Sequence, residues 1–145
     1  MQKNDLVLLA YIVLIVPAML VGFVFARRKM FEPYHKFTMT AITIVNWLLI
    51  IFVMMVTYSA LLGHPQPITQ PVMLFPTLHL ISGLIAQLLA TYLVIRMWFE
   101  NQLPEALKVK NIKLYMRTTL ALWLLTAVLG LVTWAVLHKG LFATQ

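Results

Sequence analysis

The chain has 145 residues, of which 62% are hydrophobic and 10% are charged, and its mean hydropathy is +0.91. In soluble domains about a quarter of the residues are charged, so this composition excludes an ordinary soluble domain and indicates an integral membrane protein. The net charge of +7 arises from 11 Lys and Arg against 4 Asp and Glu, and in so apolar a chain it favours the lipid bilayer over nucleic acid as the partner.

Four apolar runs are each long enough to cross about 30 Å of hydrocarbon as a helix. They cover residues 6–26, 37–62, 72–97 and 118–137, and the first contains Pro17. Its length argues against the competing interpretation, a cleaved secretory signal. Because the connections are short, we expect one transmembrane domain over residues 1–145, an all-α four-helix bundle with up-down-up-down order.

Basic residues are concentrated in two of the three connections, whereas the connection at residues 63–71 has none. By the positive-inside rule, the two basic connections face the cytoplasm and both termini face the non-cytoplasmic side. The expected location is the cell inner (plasma) membrane, as a multi-pass protein. The basic residues are Arg27, Arg28, Lys29 and Lys36 in the first cluster, and Arg96, Lys108, Lys110, Lys113 and Arg117 in the second.

Two amide side chains, Asn46 and Gln87, lie deep within the second and third runs. At 1.5 Å per residue, both lie about 13 to 14 Å from the cytoplasmic end of their helices, so they are level. Adjacent antiparallel helices then allow a hydrogen bond between them, which predicts a structural polar pair. The alternative is that they orient a bound quinone or tetrapyrrole.

Three of the four histidines are expected toward the non-cytoplasmic end: His79, His138 and, in the connection, His64. Neutral imidazoles there can ligate haem iron, copper or zinc. Met54 and Met55 come near the level of His79, which also permits a His/Met pair on a haem. The plainer interpretation is a histidine hydrogen-bonded to a backbone carbonyl or a threonine.

His35 stands apart at the cytoplasmic start of the second run, four residues before Met39. Residues four apart share a helix face, as a pair of metal or haem ligands requires. Because His35 and His79 are expected near opposite membrane faces, one haem cannot take both as ligands. We therefore treat them as the candidate ligands of separate sites, whether for haem iron or for a bare metal ion.

Several kinds of chemistry are excluded by what the chain lacks. It has no cysteine, and apart from Arg96, grouped here with its connection, the spans carry no Asp, Glu, Lys or Arg. Thiolate sites, covalent haem attachment and ion-coupled transport through a buried carboxylate therefore have no candidate. No hydrolase triad, zinc-protease or phosphate-loop motif is present, so we expect no enzyme activity and no catalytic residue.

The stretch of residues 27–134 contains a series of local sequence features in a defined order. They are the Ala26-Arg27-Arg28-Lys29 connection, His35, Lys36 and Met39, Gly63, His79, Met116 and Arg117, Trp123, Gly130 and Trp134.

In these features the chain resembles the small four-helix membrane proteins of the YozB/CtaM family. That family tends to have a histidine before the fourth helix, where this chain reads Asn111-Ile112-Lys113. The resemblance implies a role in the aerobic respiratory chain, in the maturation of haem–copper oxidases, with His35, Met39 and His79 as the matching positions. Partners would be other membrane subunits of a respiratory complex.

Two functions follow as expectations. The first is a respiratory membrane protein that binds b-type haem, or handles haem or copper during oxidase assembly. The second is a cofactor-free structural subunit of a larger electron-transfer complex, for which small residues such as Ser82, Gly83, Ala86 and Gly130 permit close helix contacts. A small transporter or a quinone-reactive protein is a third interpretation.

Overall fold

The computed structural model describes residues 8–9, 11–63 and 67–139, and the regular structure in this part of the chain is helical. The all-α prediction with four main helices is confirmed. Three of them, α2 to α4, are long and apolar enough to cross a membrane, and α1 is shorter. The helices are α1 (Tyr11–Arg27), α2 (Glu32–Leu62), α3 (Pro71–Phe99) and α4 (Ile112–Lys139), with a short 3₁₀ turn at Glu105–Leu107 before α4.

Two helices begin before the apolar runs that predict them. Helix α2 is bounded by Glu32 rather than by residue 37, and α4 starts at Ile112 rather than at residue 118. The backbone of Glu32 itself is extended, with φ −117° and ψ 133°, and its Oε1 lies 3.1 Å from Lys36 Nζ in the first turn that follows. Hydropathy marks only the expected hydrocarbon region, whereas α2 and α4 extend beyond it and include basic residues there.

Local sequence signals account for two helix starts, and a wide turn changes the register within α2. Pro71 occupies the first turn of α3, where its missing N–H costs nothing. Asn111 caps α4, since its Oδ1 accepts a hydrogen bond from the Leu114 amide at 3.3 Å. Within α2, a wide π-type turn at Ile50–Met54 separates two α-helical segments and shifts which side chains face the bundle after it.

Helices α3 and α4 form the most extensive packing, whereas α1 packs on α2 and touches α4 only over a short stretch. Close approach of α3 and α4 depends on small residues. A Cβ on Gly83 would lie 3.1 Å from Thr126 Cγ2, and the Thr126 hydroxyl oxygen lies 3.1 Å from Ser82 Oγ. These small residues therefore serve contacts inside the bundle.

The outward surface of the helices is strongly apolar. Phe52 is 70% exposed, Leu14 65% and Val56 62%, and many other large apolar side chains are turned outward in the same way. Soluble monomers rarely present so continuous an apolar surface. Buried positions include polar side chains such as Gln87 and Thr126. This distribution is the one expected when the surroundings of the bundle are lipid.

The connection between α3 and α4 is held by Arg96. Its Nε donates to Glu100 Oε2 at 2.9 Å and its Nη1 donates to the Val109 carbonyl at 2.7 Å. The hydrogen bond from Arg96 holds the pKa of the Glu100 carboxyl below its usual range, so this ion pair persists above that range and is lost only as the solution turns acidic. The Tyr92 hydroxyl donates to the Leu107 carbonyl at 2.6 Å and fixes the same connection.

Helices α2 and α3 are joined by polar contacts at several heights. Asn46 Nδ2 donates to Gln87 Oε1 at 2.7 Å, and Gln87 Nε2 donates to the Thr43 carbonyl at 2.9 Å. One helical turn farther along α3, Trp47 Nε1 donates to Thr91 Oγ1 at 3.0 Å. Such contacts fix the register of α2 on α3 and so position the side chains of both helices that line the candidate sites.

Candidate ligand sites

Two cavities lie at opposite ends of the helices. The first, called here the His35 cavity, has a volume of about 780 Å³. It lies between the C-terminal ends of α1 and α3 and the N-terminal ends of α2 and α4, and His35, Met39 and Trp123 are among its lining residues. Its volume falls within the roughly 300 to 1,000 Å³ of pockets that hold small molecules and cofactors.

His35 is oriented by the backbone of α1. Its side chain is buried, with 3% exposed, and its Nδ1 lies 2.7 Å from the Gly22 carbonyl oxygen. A carbonyl oxygen only accepts hydrogen bonds, so Nδ1 carries the proton and Nε2 is the ring nitrogen with the lone pair. Histidines that ligate metals or haem are held in this way, with the second nitrogen on a backbone carbonyl.

Gly22 also determines how closely Met39 approaches α1. A Cβ at position 22 would lie 2.9 Å from Met39 Sδ, so the thioether packs where a side chain would otherwise be. The predicted ligand pair His35 and Met39 therefore converges on Gly22 and lines the same cavity. Three further methionines, Met19, Met97 and Met116, line this cavity.

Charge in the His35 cavity is of one sign. Its lining includes four basic side chains and no carboxylate. The three acids in the described part of the chain form ion pairs elsewhere, with Lys36, Arg96 and Lys108. The four basic residues, called here the basic rim, thus have no ion-pair partner among the described residues. They are Arg27, Lys29, Lys113 and Arg117.

Trp123 brings a hydrogen-bond donor to the same cavity. Its side chain is 1% exposed, and its Nε1–H has no hydrogen-bond partner among the residues that the structure describes. Trp123 lies six residues beyond Arg117 on α4, or about 9 Å deeper along the helix. A buried donor without a partner is costly, so this indole N–H is an unsatisfied group beside the cavity.

The second cavity, called here the His79 cavity, is smaller, at about 160 Å³. It lies at the other end of the bundle, and its lining includes His79, His138 and Met54 from three different helices. It therefore brings together residues that sequence analysis assigned to one level. His64, predicted for the same end, lies outside the described residues.

The two histidines of this cavity are also bound to backbone carbonyls through Nδ1. His79 Nδ1 lies 2.9 Å from the Thr126 carbonyl oxygen, and His138 Nδ1 lies 3.1 Å from that of Trp134. His79 packs tightly on α4, because a Cβ on Gly130 would come within 3.0 Å of its Cε1. The His138 ring stacks on Trp134, with ring centroids 5.8 Å apart.

The structure thus separates the candidates into two groups. His35 and Met39 line one cavity and His79 and His138 the other, whereas Asn46 lines neither. In the ranges 8–9, 11–63 and 67–139, no three His, Asp or Glu side chains come together as ligands of a metal ion. A site for a bare ion held by such residues alone is therefore not formed there. A haem needs only one or two protein ligands.

Three residues that sequence analysis did not single out as site residues matter here: Arg117 and Thr133 line the two cavities, and Gly22 contacts His35 and Met39 behind the His35 cavity. The contribution of Gly22 depends on the rotation of α1 against α2, which no local pattern specifies. Thr133 is one of many helical threonines in the sequence, and only the packing distinguishes it. Its Oγ1 is buried without a hydrogen-bond partner in the described part of the chain.

Comparison of the chain with protein-family models, with curated proteins and with solved structures gives no match.

Proposed function

We propose that the chain is a multi-pass membrane protein that binds a b-type haem in the His35 cavity, with His35 as the axial ligand. The observation that carries the proposal is the orientation of His35. Its Nδ1 is bound to the Gly22 carbonyl at 2.7 Å, which makes Nε2 the nitrogen with the lone pair that iron would need, and His35 is one of the residues that line a cavity of about 780 Å³.

Thioethers in the same cavity would supply a further ligand to the iron, and Met19, Met97 and Met116 lie on other helices than His35. Met39 lies one helical turn from His35 and lines the same cavity, as do Met19, Met97 and Met116. His/Met ligation raises the reduction potential of a haem relative to ligation by two histidines. Spectroscopy of methionine variants would identify the sulfur that binds the iron. Bound haem would supply one-electron redox chemistry or be carried as cargo.

The basic rim supports a ligand with acidic groups. Haem is a flat, apolar macrocycle with two carboxylate side groups at one edge, and the His35 cavity has the matching arrangement. Met19 and Trp123 lie deeper, while Arg27 and Arg117 lie toward the helix ends together with Met97 and Met116. Charge-assisted hydrogen bonds between guanidinium or ammonium groups and carboxylates are about twice as strong as neutral ones.

The proposed setting is the plasma membrane, with the basic rim on the cytoplasmic side by the positive-inside rule. Both termini then lie on the opposite side. The three long apolar helices and the apolar outward surface support insertion. A respiratory role, in the assembly or function of a haem–copper oxidase, rests on the resemblance of the ordered features from Arg27 to Trp134 to the YozB/CtaM family.

The proposal is tested by titrating detergent-purified protein with haem and with its dimethyl ester, in which both carboxylates are blocked. We expect a new Soret band with haem at one equivalent, and binding of the ester at least about tenfold weaker because the basic rim has no charge to pair with. The Lys113→Gln/Arg117→Gln variant should lower haem affinity toward that of the ester.

The matched control is Lys108→Gln, which removes a basic residue that pairs with Glu105 and does not line the cavity. It should bind haem as the unaltered protein does. If neither haem nor the ester changes the spectrum, haem binding is excluded. If both bind equally and the rim variant changes nothing, the basic rim does not recognise the carboxylates.

A further inference from the structure

Thr133 departs from the other buried threonines of the bundle. Six threonines on α2, α3 and α4 donate their hydroxyls to the carbonyl four residues earlier, at 2.7 to 2.8 Å. Thr133 makes no such bond in the described part of the chain, although its Oγ1 is buried. The helical backbone offers every threonine this partner, so a buried hydroxyl that does not use it is available to another acceptor or donor.

His79 presents the complementary atom in the same cavity. Its Nδ1–H is committed to the Thr126 carbonyl at 2.9 Å, so its Nε2 carries a lone pair and accepts hydrogen bonds. Nε2 has no hydrogen-bond partner among the described residues, and Gly130 against the ring keeps the imidazole in place. The residues that line the His79 cavity thus include a fixed acceptor, His79 Nε2, and the Thr133 hydroxyl, which makes no hydrogen bond in the described part of the chain.

Apart from Thr57, Tyr58 and His138, the remaining wall is apolar and aromatic. Val53, Pro76, Leu80 and Trp134 are among the residues that line it. The cavity volume of about 160 Å³ is close to the roughly 150 Å³ of apolar cavities that take up a single benzene ring. It is well below the volume of pockets that hold larger cofactors.

We infer that the His79 cavity binds a hydroxylated six-membered aromatic ring, of the phenol or hydroquinone class, with its O–H donated to His79 Nε2 and its oxygen accepting from Thr133. A ring hydroxyl satisfies both atoms at once, whereas a bare hydrocarbon satisfies neither. A quinone has carbonyl oxygens only and leaves Nε2 of His79 without a donor. The inference is independent of haem binding in the His35 cavity.

The test compares four ligands by calorimetry on the purified protein: phenol, a decyl-substituted hydroquinone, the corresponding quinone, and toluene. We expect phenol or the hydroquinone to bind at least about tenfold more tightly than toluene and the quinone. Binding of phenol alone identifies a water-soluble ligand, and tighter binding of the decyl compound identifies one that enters from lipid. The variant Thr133→Val should weaken the preferred ligand about tenfold.

Stability without ligand separates a binding residue from a structural one. Because Thr133→Val removes a buried hydroxyl that has no partner, we expect its thermal midpoint to stay the same or to rise. Thr119→Val, on the same helix, removes a hydroxyl bonded to the Tyr115 carbonyl at 2.8 Å and should leave ligand binding in the His79 cavity unchanged. A Thr133→Val variant that is less stable and binds all four ligands as the unaltered protein does would overturn the inference, as would equal affinities for phenol, hydroquinone, quinone and toluene.

Discussion

Replacement of His35 by alanine is expected to weaken haem binding by at least about a hundredfold and to abolish the Soret band at stoichiometric haem. Loss of a residue that merely orients a metal ligand costs about 10- to 100-fold, and loss of the ligand itself costs no less. The measurement is a spectrophotometric haem titration of purified protein. No other described histidine lines the His35 cavity, so a substitute nitrogen is not at hand.

Two further variants keep this result interpretable. His35→Asn retains an amide N–H that can donate to the Gly22 carbonyl, which preserves the contact between α1 and α2 while removing the nitrogen for iron. It should fold as the unaltered protein does and fail to bind haem. His79→Ala changes a histidine at the other end of the bundle and should bind haem normally. If His79→Ala abolishes haem binding and His35→Asn does not, haem binds in the His79 cavity and our proposal is wrong.

The second large effect is expected at Gln87, which is fully buried between α2 and α3. Gln87→Leu leaves the Asn46 amide and the Thr43 carbonyl without their partners at 2.7 and 2.9 Å. We expect the free energy of unfolding to fall by about 2 kcal/mol, the usual cost of stranding buried polar groups, including those in helix pairs within membranes. Reversible denaturation in mixed micelles measures it.

The double variant Asn46→Leu/Gln87→Leu is the companion measurement. Removing both amides leaves fewer unpaired groups than removing one, so we expect it to be at least as stable as Gln87→Leu alone. If the two single effects instead add in full, the two amides do not act as a pair. Because neither side chain lines the His35 cavity, haem affinity should change little in either variant.

The four helices and the level at which Asn46 and Gln87 lie follow from the sequence. Apolar runs of more than 20 residues specify helices, and the fixed rise of 1.5 Å per residue converts sequence position into depth. The same rule groups His79 with His138 and separates them from His35. Helix ends are less predictable, since α2 and α4 both extend beyond the apolar runs into segments with charged residues, which hydropathy does not mark as helical.

The details that form the sites depend on how each helix is rotated about its axis. Gly22 is one of five glycines in the chain, and only packing reveals that its carbonyl meets His35 and its missing side chain admits Met39. The basic rim looks in sequence like an orientation signal. That the basic rim could bind an acidic ligand becomes apparent only in the structure, where the described acids pair with Lys36, Arg96 and Lys108 instead.

The most direct test of haem binding in the His35 cavity is an absorption spectrum with iron analysis on protein purified from its native membrane. We predict a haem spectrum with about one iron per chain, and protein of the His35→Asn variant that is colourless under the same conditions. A colourless, iron-free preparation of the unaltered protein would contradict the proposal and would favour a cofactor-free structural subunit.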